Sequence, residues 1–369
     1  SVLGNSLGGI YDTDWVVWGY APVTYQSRKL TATDSLIPGR GYWIRKYSPG
    51  SVSLTATGTA TPVTAGNPNC SSAAGCYEIA LTAPPGGTSR YTLIGMPFPY
   101  PVGWWDVRLQ VDGVGYALND PANGYVAPSY WLWNGNGYDS YNGTTPGMTG
   151  ILQPWQGFWM QVHPASQGHS LKLLIPPIPK YGFTPPARIP AVAQHPTPVN
   201  AGFRALDWLM APAAASEPDD PAWYVRLIAE TSTPAMRDRN NVFGQIATAA
   251  AGHDPHDLPK LAPFSPPSLS VVFPHPDWGP HAGDYASDYR PNRAASTPGR
   301  PADRWRFAIR TDRAGYPLRL RWEGPPDILS RSEVIDEDTG SRYPANDPAL
   351  LHNGIPLTMT APVRYFTWI

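Results

Sequence analysis

Residues 152–162 read "LQPWQGFWMQV", which places Trp155, Phe158 and Trp159 within five positions, separated by Gln and Gly. Residues 36–46, "LIPGRGYWIRK", repeat the frame Leu-x-Pro-x-x-Gly-aromatic-Trp-apolar. In an extended strand alternate residues share a face, so Trp155, Gly157 and Trp159 fall on one side and Phe158 and Met160 on the other. Tyr42, Trp43 and Ile44 take the places of Phe158, Trp159 and Met160 in the first copy. Both faces are apolar, which implies a strand covered on both sides, with Phe158, Trp159, Tyr42 and Trp43 in the core. Trp155 stands where the first copy has Gly39, and is free to be exposed.

The composition extends this to the whole chain. Of 369 residues, 45 are Pro and 35 are Gly, only 15% are charged, and the longest run without Pro or Gly is Val23–Ile37. Proline inside a helix costs about 3 kcal/mol, so long helices are nearly excluded and an all-β chain rich in turns is expected. With 15 Trp, 20 Tyr and 9 Phe the chain carries more buriable aromatic surface than disordered sequences do. A net charge of −1, with no basic run among the aromatics, argues against nucleic-acid binding. No apolar run approaches the roughly 18 residues of a membrane span. The start at Ser1, without Met, reads as a processed chain or an excerpt of a longer one.

The repeat reaches beyond the opening stretch. "SVLGNSLGGIYDTDW" (1–15) matches "YTLIGMPFPYPVGWWDV" (91–107), and "SVSLTATGT" (51–59) matches "SLKLLIPP" (170–177) as alternating strands. Between them the second copy carries "YWLWNGNGYDSYNG", a hairpin turning at Asn134-Gly135-Asn136-Gly137. We therefore expect two related β modules at 1–82 and 83–176. Residues 177–200 continue a proline-rich stretch without periodicity, the composition of an extended linker. From 201 to 369, alternation resumes in "WYVRLIAE", "LSVVF", "RWRFAIRT", "LRLRWEG", "IPLTM" and "VRYFTWI", the pattern of a β-sandwich. In "RWRFAIRT" Trp305, Phe307 and Ile309 share one face, and Arg304, Arg306 and Arg310 the other.

"LIGMPFPYPVGWWDV…YWLWNGNGYDSYNG…LQPWQGFWMQV" resembles the "GNPYP…W…QGFW" modules of large secreted bacterial surface proteins. The region "WYVRLIAE…DRNNVFG…RWRFAIRT…LRLRWEG…IDEDTG" resembles the immunoglobulin-like sandwich that follows such modules near their C-termini. The first copy lacks the Pro-Tyr-Pro element. The resemblance implies an extracellular, non-catalytic protein of the cell surface. Small repeated aromatic modules and the apolar closing strand "VRYFTWI" suggest a subunit of a filament, sheath or surface layer, associating with its own copies or with other surface proteins.

Candidate chemistry is sparse. No signature of a serine hydrolase, zinc protease, phosphate loop or dinucleotide fold is present. Cys70 and Cys76 enclose five small residues and are expected to form a disulfide, which implies an oxidising compartment. Asp238, Asn241, Asp254 and Asp257, in "DRNNVFG" and "GHDPHD", have the oxygen chemistry of a calcium site, the one cofactor to consider. His253 and His256 suggest a transition metal, and turn capping by Asp and Asn is the alternative to both. "PHPDWGPHAGDY" adds His275, Asp277, His281 and Asp284, read as a solvated loop. Glu333, Asp336, Glu337 and Asp338 have the chemistry of an acid–base pair, but Asp338-Thr339-Gly340 reads better as a β-turn. Tyr130, Trp131, Trp133, Tyr138 and Trp155 offer rings for stacking on glycans, the competing reading to a structural role. Asn69-Cys70-Ser71 and Asn142-Gly143-Thr144 match the glycosylation sequon.

Overall fold

The computed structural model describes residues 7, 9–21, 26–31, 33–47, 61–85, 89–135, 137–143, 145, 148–180, 221–261, 263, 266–292 and 303–369. The strand expected at 51–59, linker residues 181–200, the first residues of the sandwich region (201–220) and Thr144 of the second sequon lie outside them. The chain is all-β: strands dominate, and the α-helices among the described residues, Pro326–Leu329 and Pro348–Asn353, are short. None of these helices is long and apolar enough to cross a membrane. Two compact units form, one from residues 1–130 and 148–217, the other from 131–147 and 218–369.

In the first unit, the strand Gly157–Val162 pairs antiparallel with Arg90–Gly95, setting Phe158 opposite Ile94 and Trp159 opposite Leu93. Phe158 and Met160 are fully buried and Trp159 nearly so, as two apolar faces require. The first copy behaves differently. Tyr42–Lys46 pairs with Trp15–Ala21, with Trp43 opposite Trp18, but Tyr42 and Trp43 are half-buried and Ile44 is exposed. This sheet has only three strands; Tyr42 packs against its core of Leu7, Trp15, Val17 and Leu30, while the neighbouring Ile44 and Arg45 meet solvent. A further sheet orders Tyr77–Leu81, Leu171–Ile175, Arg108–Val111 and Val114–Ala117, drawing its strands from both sequence copies. The Cys70–Cys76 disulfide is formed, and its sulfurs pack on Leu174 of that sheet.

The repeated frame makes the same turn twice. Arg40 N–H donates to Ile37 O, and Gln156 N–H donates to Gln153 O, both at 3.2 Å. Each turn has Pro at its second position and a left-handed residue at its third, the type II pattern. In the first copy that residue is Gly39 (φ +79°), and a Cβ there would sit 2.7 Å from the Tyr77 ring. In the second copy it is Trp155 (φ +63°), whose ring is 67% exposed.

The second unit is a sandwich of two sheets. One orders Ser287–Pro291, Ala235–Ile246, Trp223–Ser232, Pro317–Glu323 and Ile355–Thr358; the other orders Gly283–Tyr285, Leu269–His275, Trp305–Thr311, Val363–Trp368, Glu333–Asp336 and Arg342–Pro344. Alternate residues of both sheets meet in one core: Val225, Leu227, Phe243, Leu318, Leu320 and Trp322 from the first, and Val271, Phe273, Phe307, Ile309, Phe366 and Trp368 from the second. Trp305, Phe307 and Ile309 are buried while Arg304 and Arg306 are exposed and Arg310 is half-buried, as the alternation required. Trp368, which the sequence suggested as surface offered for association, is 1% exposed and packs edge-on against Trp322 at 5.7 Å. The closing strand thus completes its own sandwich. Truncating so large a ring in a close-packed core costs about 3–5 kcal/mol; Trp368→Ala should lower the unfolding free energy by that amount in a denaturant titration at unchanged m-value.

Candidate functional site

The acids, amides and histidines of residues 238–288 singled out in the sequence lie in the second unit, on or beside the crossover from Ile246 to Leu269. One group is buried. Lys260 Nζ lies 2.7 Å from Asp238 Oδ2 and 2.5 Å from Asn241 Oδ1, and Val271 N–H also donates to Asp238 Oδ2 at 2.7 Å. The side chains of Lys260 and Asp238 are 6% and 4% exposed, and Asn241 is wholly buried. The direction in which a calcium ion would be expected is therefore taken by an ammonium group.

Asp254 and Asp257 form a second group and bind backbone. Asp254 accepts from Ala250 N–H and His256 N–H, while Asp257 accepts from Asp254 N–H and Tyr289 N–H, each at 3.0 Å for Asp257. These are the turn-capping roles that short acidic side chains adopt in loops. The proposed calcium ligands are thus divided between two networks, and no group of three or more His, Cys, Asp or Glu placed to hold a metal occurs among the described residues. Burial, reinforced by Asp254 and Asp288, pushes the Asp257 carboxyl up to about 9, and burial also raises that of Asp254.

Ser287 Oγ accepts from Leu258 N–H and donates to His256 O, tying the crossover to Ser287–Pro291. On its other side lies the aromatic hairpin. Trp131 Nε1–H donates to Pro259 O at 3.0 Å, the Asn142 amide to His256 O at 3.1 Å, and the Asn240 amide to Ser140 O at 3.2 Å. Trp131 is 1% and Tyr138 5% exposed, so these rings present no face to a sugar, and Trp131 lies against the crossover; Tyr130, in the first unit, is equally buried. Of the five aromatics considered for glycan stacking, Trp133 (39%) and Trp155 (67%) keep exposed surface. Asn142 of the second sequon is buried by the same contact.

The histidines from separate motifs converge. His253 stacks on His281 at 4.0 Å, His275 stacks on Trp278 at 3.6 Å, and Tyr285 contacts His253, His275 and Trp278. His275 Nε2 lies 3.2 Å from Asp288 Oδ2, Asp284 pairs with Arg310 at 2.9 Å, and Asp277 is largely in solvent. His256 Nε2 faces Thr248 Oγ1 at 3.2 Å. Elsewhere, Asp336 is buried against Arg364 and Thr339, Glu337 binds Arg306 and Thr367, and Glu333 binds Arg342. Gly340 N–H donates to Asp336 O at 2.8 Å, four residues back, and Asp338 N–H to Asp336 Oδ1, so the segment does turn between two strands, but through an α-turn bond where a β-turn was expected. Burial raises the Asp336 carboxyl, but the bonds from Arg364 and Thr339 outweigh it and hold the group low.

Sequence reasoning missed Lys260. Its only signal is a lone lysine in "DLPKLAPF", flanked by Leu and Pro, where no solvated charge run surrounds it. It also missed Asp288, because the aspartate reaches the histidine cluster only through the parallel pairing of Ser287–Pro291 with Ala235–Ile246.

A carboxyl raised in the folded state makes stability fall as pH rises, from the unfolded value near 4 to the folded value near 9. Asp257→Asn keeps an acceptor for Tyr289 N–H but not for Asp254 N–H, so it costs a constant amount and removes the titration. Thermal unfolding of variant and parent from pH 5 to 8 should therefore show the variant gaining on the parent with pH, by up to about 1.4 kcal/mol per unit. Parallel curves would exclude a protonated Asp257.

No family model, no curated protein and no solved structure matches this chain.

Proposed function

We propose that the chain is a non-catalytic extracellular structural protein, a subunit of a self-assembling filament, sheath or surface layer. The observation that carries this reading is Trp155. A type II turn favours glycine at its third position, and the first copy has it; the second copy holds a tryptophan there at φ +63° with two-thirds of its surface in water. A non-glycine residue in this region costs on the order of 1 kcal/mol, and an exposed indole adds nothing to the fold that offsets it. A partner that covers the ring does. The Cys70–Cys76 disulfide supports an oxidising, extracellular setting. The acids and histidines with catalytic chemistry are engaged with internal partners, which favours a structural role over a hydrolytic one. The immunoglobulin-like character of the second unit and the kinship with tandem surface modules belong to the same proposal.

The competing reading is a carbohydrate-binding or adhesive surface module. Exposure of Trp155 and of Trp133, the latter edge-on to Tyr138 at 5.2 Å, favours it, because indole faces stack on sugar rings.

The full chain should form higher species in light scattering and negative stain as its concentration rises. Trp155→Gly should leave unfolding free energy within about 1 kcal/mol of the parent and shift assembly to higher concentration. A single monomeric species at all concentrations, with saturable binding on a glycan array that Trp155→Gly removes, would replace assembly by carbohydrate binding. Neither assembly nor glycan binding would reject both readings.

A further inference from the structure

The contact between Lys260, Asn241 and Asp238 is prepared by an irregularity in the strand Ala235–Ile246. Leu227 pairs with Asn241 and Ala229 with Asp238, so Arg239 and Asn240 stand opposite Ile228 alone. In a regular strand residues three apart face opposite sides; one extra residue, a β-bulge, returns both to the same side. Leu227 and Ala229 belong to the sandwich core, and their partners Asn241 and Asp238 face inward with them. The crossover then delivers Lys260 to both. Its backbone N–H donates to Asp284 O at 2.8 Å, and Pro259 forms a bridge with Tyr285, which fix where the side chain enters.

We infer that Lys260 and Asn241 are joined by an intramolecular isopeptide bond formed by the protein on itself, with Asp238 as the proton carrier. An amine held 2.5 Å from a carboxamide oxygen, in a site closed to water, has the proximity that turns a slow bimolecular aminolysis into a feasible unimolecular one. Asp238 touches the amine at 2.7 Å. The Lys260 ammonium passes one proton to Asp238, and the free amine adds to Asn241 Cγ. The tetrahedral adduct collapses as a second proton moves from the attacking to the departing nitrogen. The Nζ–Cγ amide bond forms, the Cγ–Nδ2 bond breaks and one ammonia leaves; Asp238 keeps the first proton, and no oxidant or reductant takes part. Asn241 Nδ2, the leaving nitrogen, makes a long 3.4 Å contact to Leu227 O among the described residues. The bond would fasten the crossover to the strand it leaves, closing a loop 19 residues long in a protein proposed to bear load.

Intact mass of the purified full chain after disulfide reduction decides the matter without any variant. The mass should fall short of the sequence value by one ammonia. Cleavage at Asp254 and Asp257, between the two residues, should leave the peptides carrying Asn241 and Lys260 joined. Lys260→Arg should show no deficit, and Asp238→Ala, which retains both reacting groups, should show it slowly or not at all while circular dichroism reports its fold. A parent of full mass with separable peptides overturns the inference, and so does a deficit of one water with Lys260 joined to Asp238.

Discussion

The second unit depends on how one cation taken out of water is accommodated. An ammonium buried without partners would cost several kcal/mol, and the Lys260 side chain is only 6% exposed. Two oxygens meet it, from Asp238 and Asn241, and both are available only because the strand bulges opposite Ile228. The same carboxylate accepts from Val271 N–H, so the crossover, the bulged strand and the opposing sheet are fixed at one point. Removing one member leaves a buried charge without its counterpart, which is why such a node constrains its surroundings more strongly than its net contribution to stability suggests.

From that point the surrounding contacts follow. With Lys260 anchored, the crossover carbonyls at His256 and Pro259 are placed to accept from the hairpin side chains Asn142 and Trp131. Its acidic residues are left to cap its own turns. Asp257 is the clearest case: two backbone N–H groups hold it, yet burial beside Asp254 and Asp288 favours its protonated form. Aspartates that looked like ligands for an ion serve as ligands for the main chain. The acids of residues 333–338 do the same or pair with Arg306, Arg342 and Arg364.

The first unit is governed by a different constraint, the turn made twice by one sequence frame. Proline at its second position fixes the entry and the third position must turn left, which glycine does at no steric cost and tryptophan does not. Gly39 is also crowded by Tyr77 and Ile79, so no side chain fits there; Trp155 projects into open space. The two occurrences of the frame thus differ at the residue where the backbone is least tolerant, and the second leaves an aromatic ring at the surface.

Much of this was legible in the residues. Proline and glycine content excluded long helices because each breaks the backbone ladder a helix needs, and the period of two in "RWRFAIRT" assigned Trp305, Phe307 and Ile309 to the core because strand side chains alternate. The close spacing of Cys70 and Cys76 indicated a bridge. Burial in the first copy was not legible, because whether Tyr42 and Trp43 are covered depends on how many strands and faces the sheet acquires. Nor was the fate of Trp131, Tyr138 and Trp368, since an apolar strand looks the same whether it covers its own core or awaits a partner. The meeting of Lys260 with Asp238 and Asn241 lay furthest from view. A bulge reverses the facing of every residue beyond it, and only pairing with Trp223–Ser232 shows where the extra residue falls. Local pattern determined the class of fold and which residues alternate; which polar groups meet in its interior was decided by register and by the path of one crossover, both of which are properties of the packed sheets.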